Sequence, residues 1–441
     1  MHAEWSSVPQ IQSDIHQSGR RRSLDSLRAL PRSGALSQYR AALERTGQPA
    51  PPPDWPNLGY FSGAAWREWL RVYARDAFRR NCRFRTETGP ERGIYPLRDE
   101  HGAQSVRISM AGDWGTGTEE AYRVAQGMMR REHEPHFTIH LGDVYFIGDA
   151  PSIDENCLGI RNPANNYDPV TWPIGRLGSF ALNGNHEMYA TGEPYFRDFL
   201  PRLGIVRNGA PTGQPTSYFC LENDYWRIIA LDTGYHSRGL PFLYELDTYL
   251  RFLRPTCRLP DPLVSWVKDV VRLGDDGQRG LILLSHHQYY TAFDDVAYRK
   301  AAQQLAEMIS RPVLWFWGHE HRMSGYAPFG PAGIKAHGRC IGHGGMPVER
   351  RAPPAQRGDC KLLFYDDRPY TGSLGRNGYV TLAFEDSFLT VKYFSLGPTP
   401  HAPDELILRE EWEVGRRGSL SVDITQVCLE DGFYGPTQWG R

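Results

Sequence analysis

Residues 106–115 read VRISMAGDWG and residues 137–145 read FTIHLGDVY, two short apolar runs that each break off at a glycine followed by aspartate. A run of this length, closed by a turn former, predicts a buried strand. Four more runs follow: Phe180 to Leu182, Ile228 to Leu231, Leu281 to Leu284 and Val313 to Trp317. Apolar residues recur at helical spacing between several of them, over Glu119 to Arg131, Pro262 to Leu273 and Val296 to Ile309. Strands alternating with helices predict an α/β architecture with much parallel pairing. Tyr379 to Phe384 and Phe388 to Phe394 predict an antiparallel hairpin closing the domain.

Outward from this core the chain changes character. Up to about residue 55 it is rich in Arg, Ser, Pro and Gln and ends in Pro51, Pro52 and Pro53, a composition that predicts a peripheral, partly disordered segment. Trp66, Leu70, Val72, Tyr73 and Phe78 then fall at helical spacing over Trp66 to Arg80. The expected organisation is an N-terminal extension over 1–103, the main domain over 104–397, and a polar C-terminal tail over 398–441.

The bulk numbers exclude several classes. A formal net charge of −1 over 441 residues gives no field for nucleic acid or a membrane surface. No stretch approaches the roughly 18 apolar residues of a membrane helix, and the N-terminus lacks the apolar core of a signal peptide. The seven cysteines are scattered, with no pair at zinc-ribbon spacing. A cytoplasmic protein is the expectation.

Chemistry sits where the runs end. Gly112-Asp113, Gly142-Asp143, Gly184-Asn185-His186-Glu187, Ser285-His286-His287 and Gly318-His319-Glu320-His321 each follow one of the strands. Loops leaving the carboxyl edge of a parallel sheet converge on one crevice. Two Asp, an Asn carbonyl and three His make a mixed oxygen and imidazole set, suited to Zn, Fe or Mn rather than calcium. An extended backbone turns His319 and His321 to the same side, and a carboxylate such as Asp143 can bridge two cations.

The ordered series GDxG, GDxY, GNHE, a strand-end His and GHxH resembles the calcineurin-like metallophosphoesterases, on the side of the purple acid phosphatases, over roughly Val106 to His321 and on to Phe394. The resemblance implies a four-layer αββα sandwich of two mixed sheets and a hydrolase of phosphate mono- or diesters with a dinuclear metal centre holding a hydroxide. Asp113 and His321 would bind the first metal, Asp143 would bridge, and Asn185, His286 and His319 would bind the second. His186 would assist the leaving group. Two positions depart from the pattern: Gly115 stands where most members carry a histidine ligand, and Phe146 stands where purple acid phosphatases carry an iron-binding tyrosine. Either Tyr145 takes that role, or the first metal has only Asp113, Asp143, His321 and solvent.

Singly, each motif has a plainer reading. Asp113 or Asp143 alone would be a helix N-cap, and His186, His286 or His287 a satisfied core histidine. Their joint occurrence in order speaks against that. The missing ligand at Gly115 motivates a rival expectation, a catalytically silent relative serving as a binding module. The loop Gly342-His343-Gly344-Gly345 reads as a glycine turn or a substrate contact. The segment Ile147 to Ser179, with Asn162, Asn165, Asn166 and Trp172, is expected at the pocket rim.

Overall fold

The computed structural model describes residues 74–76, 78–163, 168–238, 255–293, 296–353, 360–371, 374–399 and 402–435. Within them the six runs form strands β1 (Val106–Ala111), β2 (Phe137–His140), β3 (Gly178–Ala181), β4 (Trp226–Leu231), β5 (Gly280–Ser285) and β6 (Val313–Trp317). The peripheral N-terminal segment and most of the helix expected over Trp66 to Arg80 lie outside the described residues, as do Asn165 and Asn166.

Strands β1, β2 and β3 run parallel at the centre of a nine-stranded sheet. The expected hairpin, Gly378–Glu385 with Phe388–Ser395, joins it antiparallel to β1. Strands β4, β5 and β6 run parallel in a second nine-stranded sheet. Ile108, Ile139 and Phe180 of the first sheet pack with Ile228, Ile282 and Phe316 of the second in one apolar cluster, so the sheets lie face to face. Outside the first sheet, Ala121, Val124 and Met128 of helix α1 (Glu119–Met128) close against Trp114 and Tyr379. Outside the second, Leu263 and Val267 pack with Ala302 and Leu305. The result is the αββα sandwich.

Two expectations change. The stretch expected as a polar C-terminal tail carries two strands: Glu405–Val414 and Leu420–Gln426 extend the first sheet antiparallel. Leu420 to Gln426 alternates exposed and half-buried positions, so only one face is apolar and the composition looks polar. Glu410 is fully buried there, 2.7 Å from the guanidinium of Arg339 in the facing sheet. Trp172 is not a rim residue either. It is buried edge-on against Trp114 and His140, and its Nε1 donates to Ser179 Oγ.

The strand ends that matter are level. Ala111, His140 and Ala181 share a register line in the first sheet, and Leu231, Ser285 and Trp317 share one in the second. Gly112 N donates to Ile341 O, stitching the two edges together. Every motif singled out in the sequence therefore leaves the sandwich at one place.

Candidate metal centre

Tight turns bring the side chains inward. Asp113, Asp143 and His319 take positive φ values of 56°, 74° and 67°, a left-handed backbone that costs on the order of 1–3 kcal/mol at a non-glycine residue. Each aspartate uses its two oxygens differently. Asp113 Oδ2 accepts from His319 N at 2.7 Å, and Asp143 Oδ1 accepts from His186 N at 3.0 Å. The other oxygen of each faces the interior. A side chain on Gly184 could not coexist with this, because its Cβ would lie 2.1 Å from Asp143 Oδ1.

Two groups of donor atoms result. In one, Tyr145 OH lies 2.7 Å from Asp113 Oδ1, 3.1 Å from Asp143 Oδ2 and 2.9 Å from His321 Nε2. In the other, His286 Nε2 lies 3.2 Å from Asp143 Oδ2, from Asn185 Oδ1 and from His319 Nδ1. A cation bonded to four donors at roughly 2.0–2.1 Å would hold them about 3.3 Å apart. Asp143 Oδ2 belongs to both groups.

Neighbouring bonds fix which atoms face inward. His286 Nδ1 donates to Leu141 O at 2.9 Å, leaving Nε2 for the interior. Asn185 Nδ2 is engaged by Tyr189 OH, which turns Oδ1 inward. Glu187 Oε2 accepts from the backbone N–H groups of Gly184 and Asp143, so it orients two motifs. His186 Nδ1 donates to Phe146 O at 2.5 Å, and its Nε2 lies 3.8 Å from Asp143 Oδ2.

The electrostatics are those of carboxylates buried together. Burial pushes the Asp113 carboxyl up to about 7, with Asp143 adding to the rise. Burial would raise Asp143 too, but the His286 and His186 imidazoles outweigh it and hold it well below the usual range. Burial would lower His286; the Asp143 carboxylate overrides it and lifts His286 to about 10. Burial drops His321 to about 3 and lowers His186. A proton on His286 thus supplies positive charge that a cation in this cluster would supply instead. The donor set fits a cation of the Zn, Fe or Mn type.

All six expected ligands and Tyr145 are brought together. Phe146 contributes its carbonyl, the acceptor for His186 Nδ1. The loop Gly342 to Gly345 supports the Asp113 turn: Gly344 N donates to Gly112 O and Met346 N to Asp113 O. The segment Asp232-Thr233-Gly234 after β4 was not picked out by the sequence reading, although it ends a strand at the same edge. Its signal was the same apolar run closed by an aspartate.

The sequence profile of the calcineurin-like phosphoesterases matches residues 106–323. This part of the chain belongs to that family. No curated protein sequence matches the chain. Among solved structures, the chain is similar to purple acid phosphatase PPD1 from yellow lupin (Lupinus luteus) at 15% identity and a TM-score of 0.43, covering 68% of this chain and 52% of that one. It therefore spans about half the length of that relative. PhoD is similar at 13% identity and a TM-score of 0.46, with 74% and 73% covered. GAP50 of Plasmodium, described as the anchor in the inner membrane complex, is similar at 13% identity and a TM-score of 0.45, with 71% and 91% covered. Among the described residues, no helix is long and apolar enough to cross a membrane.

Proposed function

We propose that the chain hydrolyses phosphate esters at a pair of metal ions. The observation that carries this reading is the position of Asp143 Oδ2, 3.1 Å from Tyr145 OH in one donor group and 3.2 Å from His286 Nε2 in the other. On this reading Asp113, Tyr145 and His321 would hold the first ion, Asn185, His286 and His319 would hold the second, and Asp143 would be shared between them. Tyr145 thereby supplies the donor that Gly115 lacks, which weighs against the silent-module alternative. When bound, such a pair polarises the phosphoryl oxygens and activates water.

The chain's own residues do the rest. His186, anchored through Nδ1 on Phe146 O, exchanges its proton at Nε2, the atom facing Asp143. The form that acts is the imidazolium, disfavoured by burial and favoured by the Asp143 carboxylate: Nε2 would give its proton to the departing alcohol oxygen while Nδ1–H stays on Phe146 O, a step that contributes roughly 10²–10⁴-fold. Burial of the donor cluster excludes water and strengthens every charge interaction within it.

The test is hydrolysis of p-nitrophenyl phosphate and bis(p-nitrophenyl) phosphate by chelator-stripped protein given Mn, Zn or Fe. Turnover that needs added metal is expected, with Asp143→Ala abolishing it and His186→Ala reducing kcat without loss of bound metal. Failure to turn over either ester with any of the three metals would refute the reading.

A further inference from the structure

The turn Asp232-Thr233-Gly234 leaves β4 in line with the turns after β5 and β6, yet none of its atoms belongs to either donor group. Asp232 is fully buried. Its Oδ1 accepts from Tyr235 N at 2.8 Å and its Oδ2 from Ser217 Oγ at 2.5 Å, while Asn183 Nδ2 sits 3.3 and 3.4 Å from the two oxygens. A buried carboxylate satisfied by neutral donors is costly unless it holds something in place. Asn183 lies two residues before Asn185. The next residue reaches the other motif: Thr233 Oγ1 accepts from His287 N at 3.1 Å and pairs with His287 Nδ1 at 3.0 Å. Gly234 completes the joint, since a Cβ there would lie 2.4 Å from Asn183 O and 2.7 Å from Gly184 O.

Two consecutive side chains thus grip the two segments that carry Asn185 and His286, whose donor atoms lie 3.2 Å apart. The first group is braced by the Gly342–Gly345 loop on the Asp113 turn, and His319 N on Asp113 ties it to the second. We propose that Asp232 and Thr233 are positioning residues for the second cation alone, setting its affinity by fixing the spacing of Asn185 and His286. The proposal rests on the two-metal reading above. Partners that orient ligands in this way change metal affinity by roughly 10–100-fold when removed.

Calorimetric titration of the chelator-stripped full chain with Mn²⁺ tests it, on the wild type, Asp232→Asn, Asn183→Ala and Thr233→Val. Asn183→Ala leaves the Ser217 and Tyr235 bonds to Asp232 in place, so it carries the test if Asp232→Asn does not fold. The expected result is two ions on the wild type. Asn183→Ala and Thr233→Val should bind one ion normally and the other roughly 10–100-fold more weakly, with native near-UV circular dichroism and ester hydrolysis restored by excess Mn²⁺. Two ions bound to these variants with wild-type affinity would overturn the proposal and leave the metal reading intact. Equal weakening of both ions would also overturn it, as a general structural defect. A wild type that binds fewer than two ions would overturn both.

Discussion

Restoring the histidine that most relatives carry at position 115 should weaken this site rather than strengthen it. A Cβ on Gly115 would lie 2.8 Å from Asp143 O, 2.9 Å from Val144 Cα and 3.0 Å from Val144 Cγ2. Carbon contacts settle near 3.5–4.0 Å, so the two strand ends must part by about 0.6 Å or more. The obstacles are mostly backbone, and Gly115 O already accepts from Tyr145 N at 2.8 Å. Overpacking of this kind costs about 1–3 kcal/mol. With an unfolding entropy of about 2.1 cal/mol/K per residue, a chain of this size shifts by roughly 1–2 °C per kcal/mol, so Gly115→His should lower the thermal midpoint by roughly 1–6 °C. The same displacement moves Asp143, and with it the oxygen common to both donor groups, so the first ion should bind more weakly despite the added imidazole. Differential scanning calorimetry of the stripped protein gives the first quantity, and metal titration the second. A variant with the wild-type midpoint and tighter binding of the first ion would refute the reasoning.

Tyr145→Phe removes one of four donors from the first group, so affinity for that ion should fall by at least the roughly 10–100-fold that loss of an outer partner costs; metal analysis after dialysis checks it, and full retention of both ions contradicts it. Stripping the metal should lower the thermal midpoint, and returning it to 100 times its dissociation constant should recover about 2.7 kcal/mol for each ion. Near neutral pH, His286 must give up the proton it holds up to about 10 before Nε2 can ligate. Metal affinity should therefore rise with pH, by up to about tenfold per unit for that one proton. Below neutrality the dependence should steepen, because Asp113, lifted by burial to about 7, also has to ionise. Titrations in buffers of different ionisation enthalpy measure the released protons; affinity independent of pH would contradict the linkage.

Much of this was legible in the sequence because its signals are local. A strand of four to six residues with recurring apolar positions and a turn that needs left-handed backbone are written in adjacent letters, so β1, β2 and the Asp113 and Asp143 turns could be read directly. What was missed depends on contacts distant in sequence. Glu405–Val414 carries five charged residues, and only burial of Glu410 against Arg339 in the facing sheet explains its place in a sheet. Trp172 follows an asparagine-containing stretch in the sequence but is packed behind the Asp113 turn by Trp114. Asp232 ends its strand as Asp113 and Asp143 nearly do, yet it turns toward Asn183 and not into the donor cluster; no spacing rule separates the two outcomes. Tyr145 could be named only as one of two alternatives, since its reach to Asp113 depends on how β2's loop folds back.

The divided use of the aspartate oxygens has a consequence for amide substitution. At position 113 or 143 an asparagine keeps the shape but must point its NH₂ group somewhere. Turned outward, it meets the N–H of His319 or His186, and a donor faces a donor. Turned inward, it presents hydrogens where a cation needs a lone pair. Neither rotamer is neutral: the first gives up the strut that holds the neighbouring loop, and the second keeps the strut but turns a donor on the cation, so charge removal at these two positions carries a second injury either way.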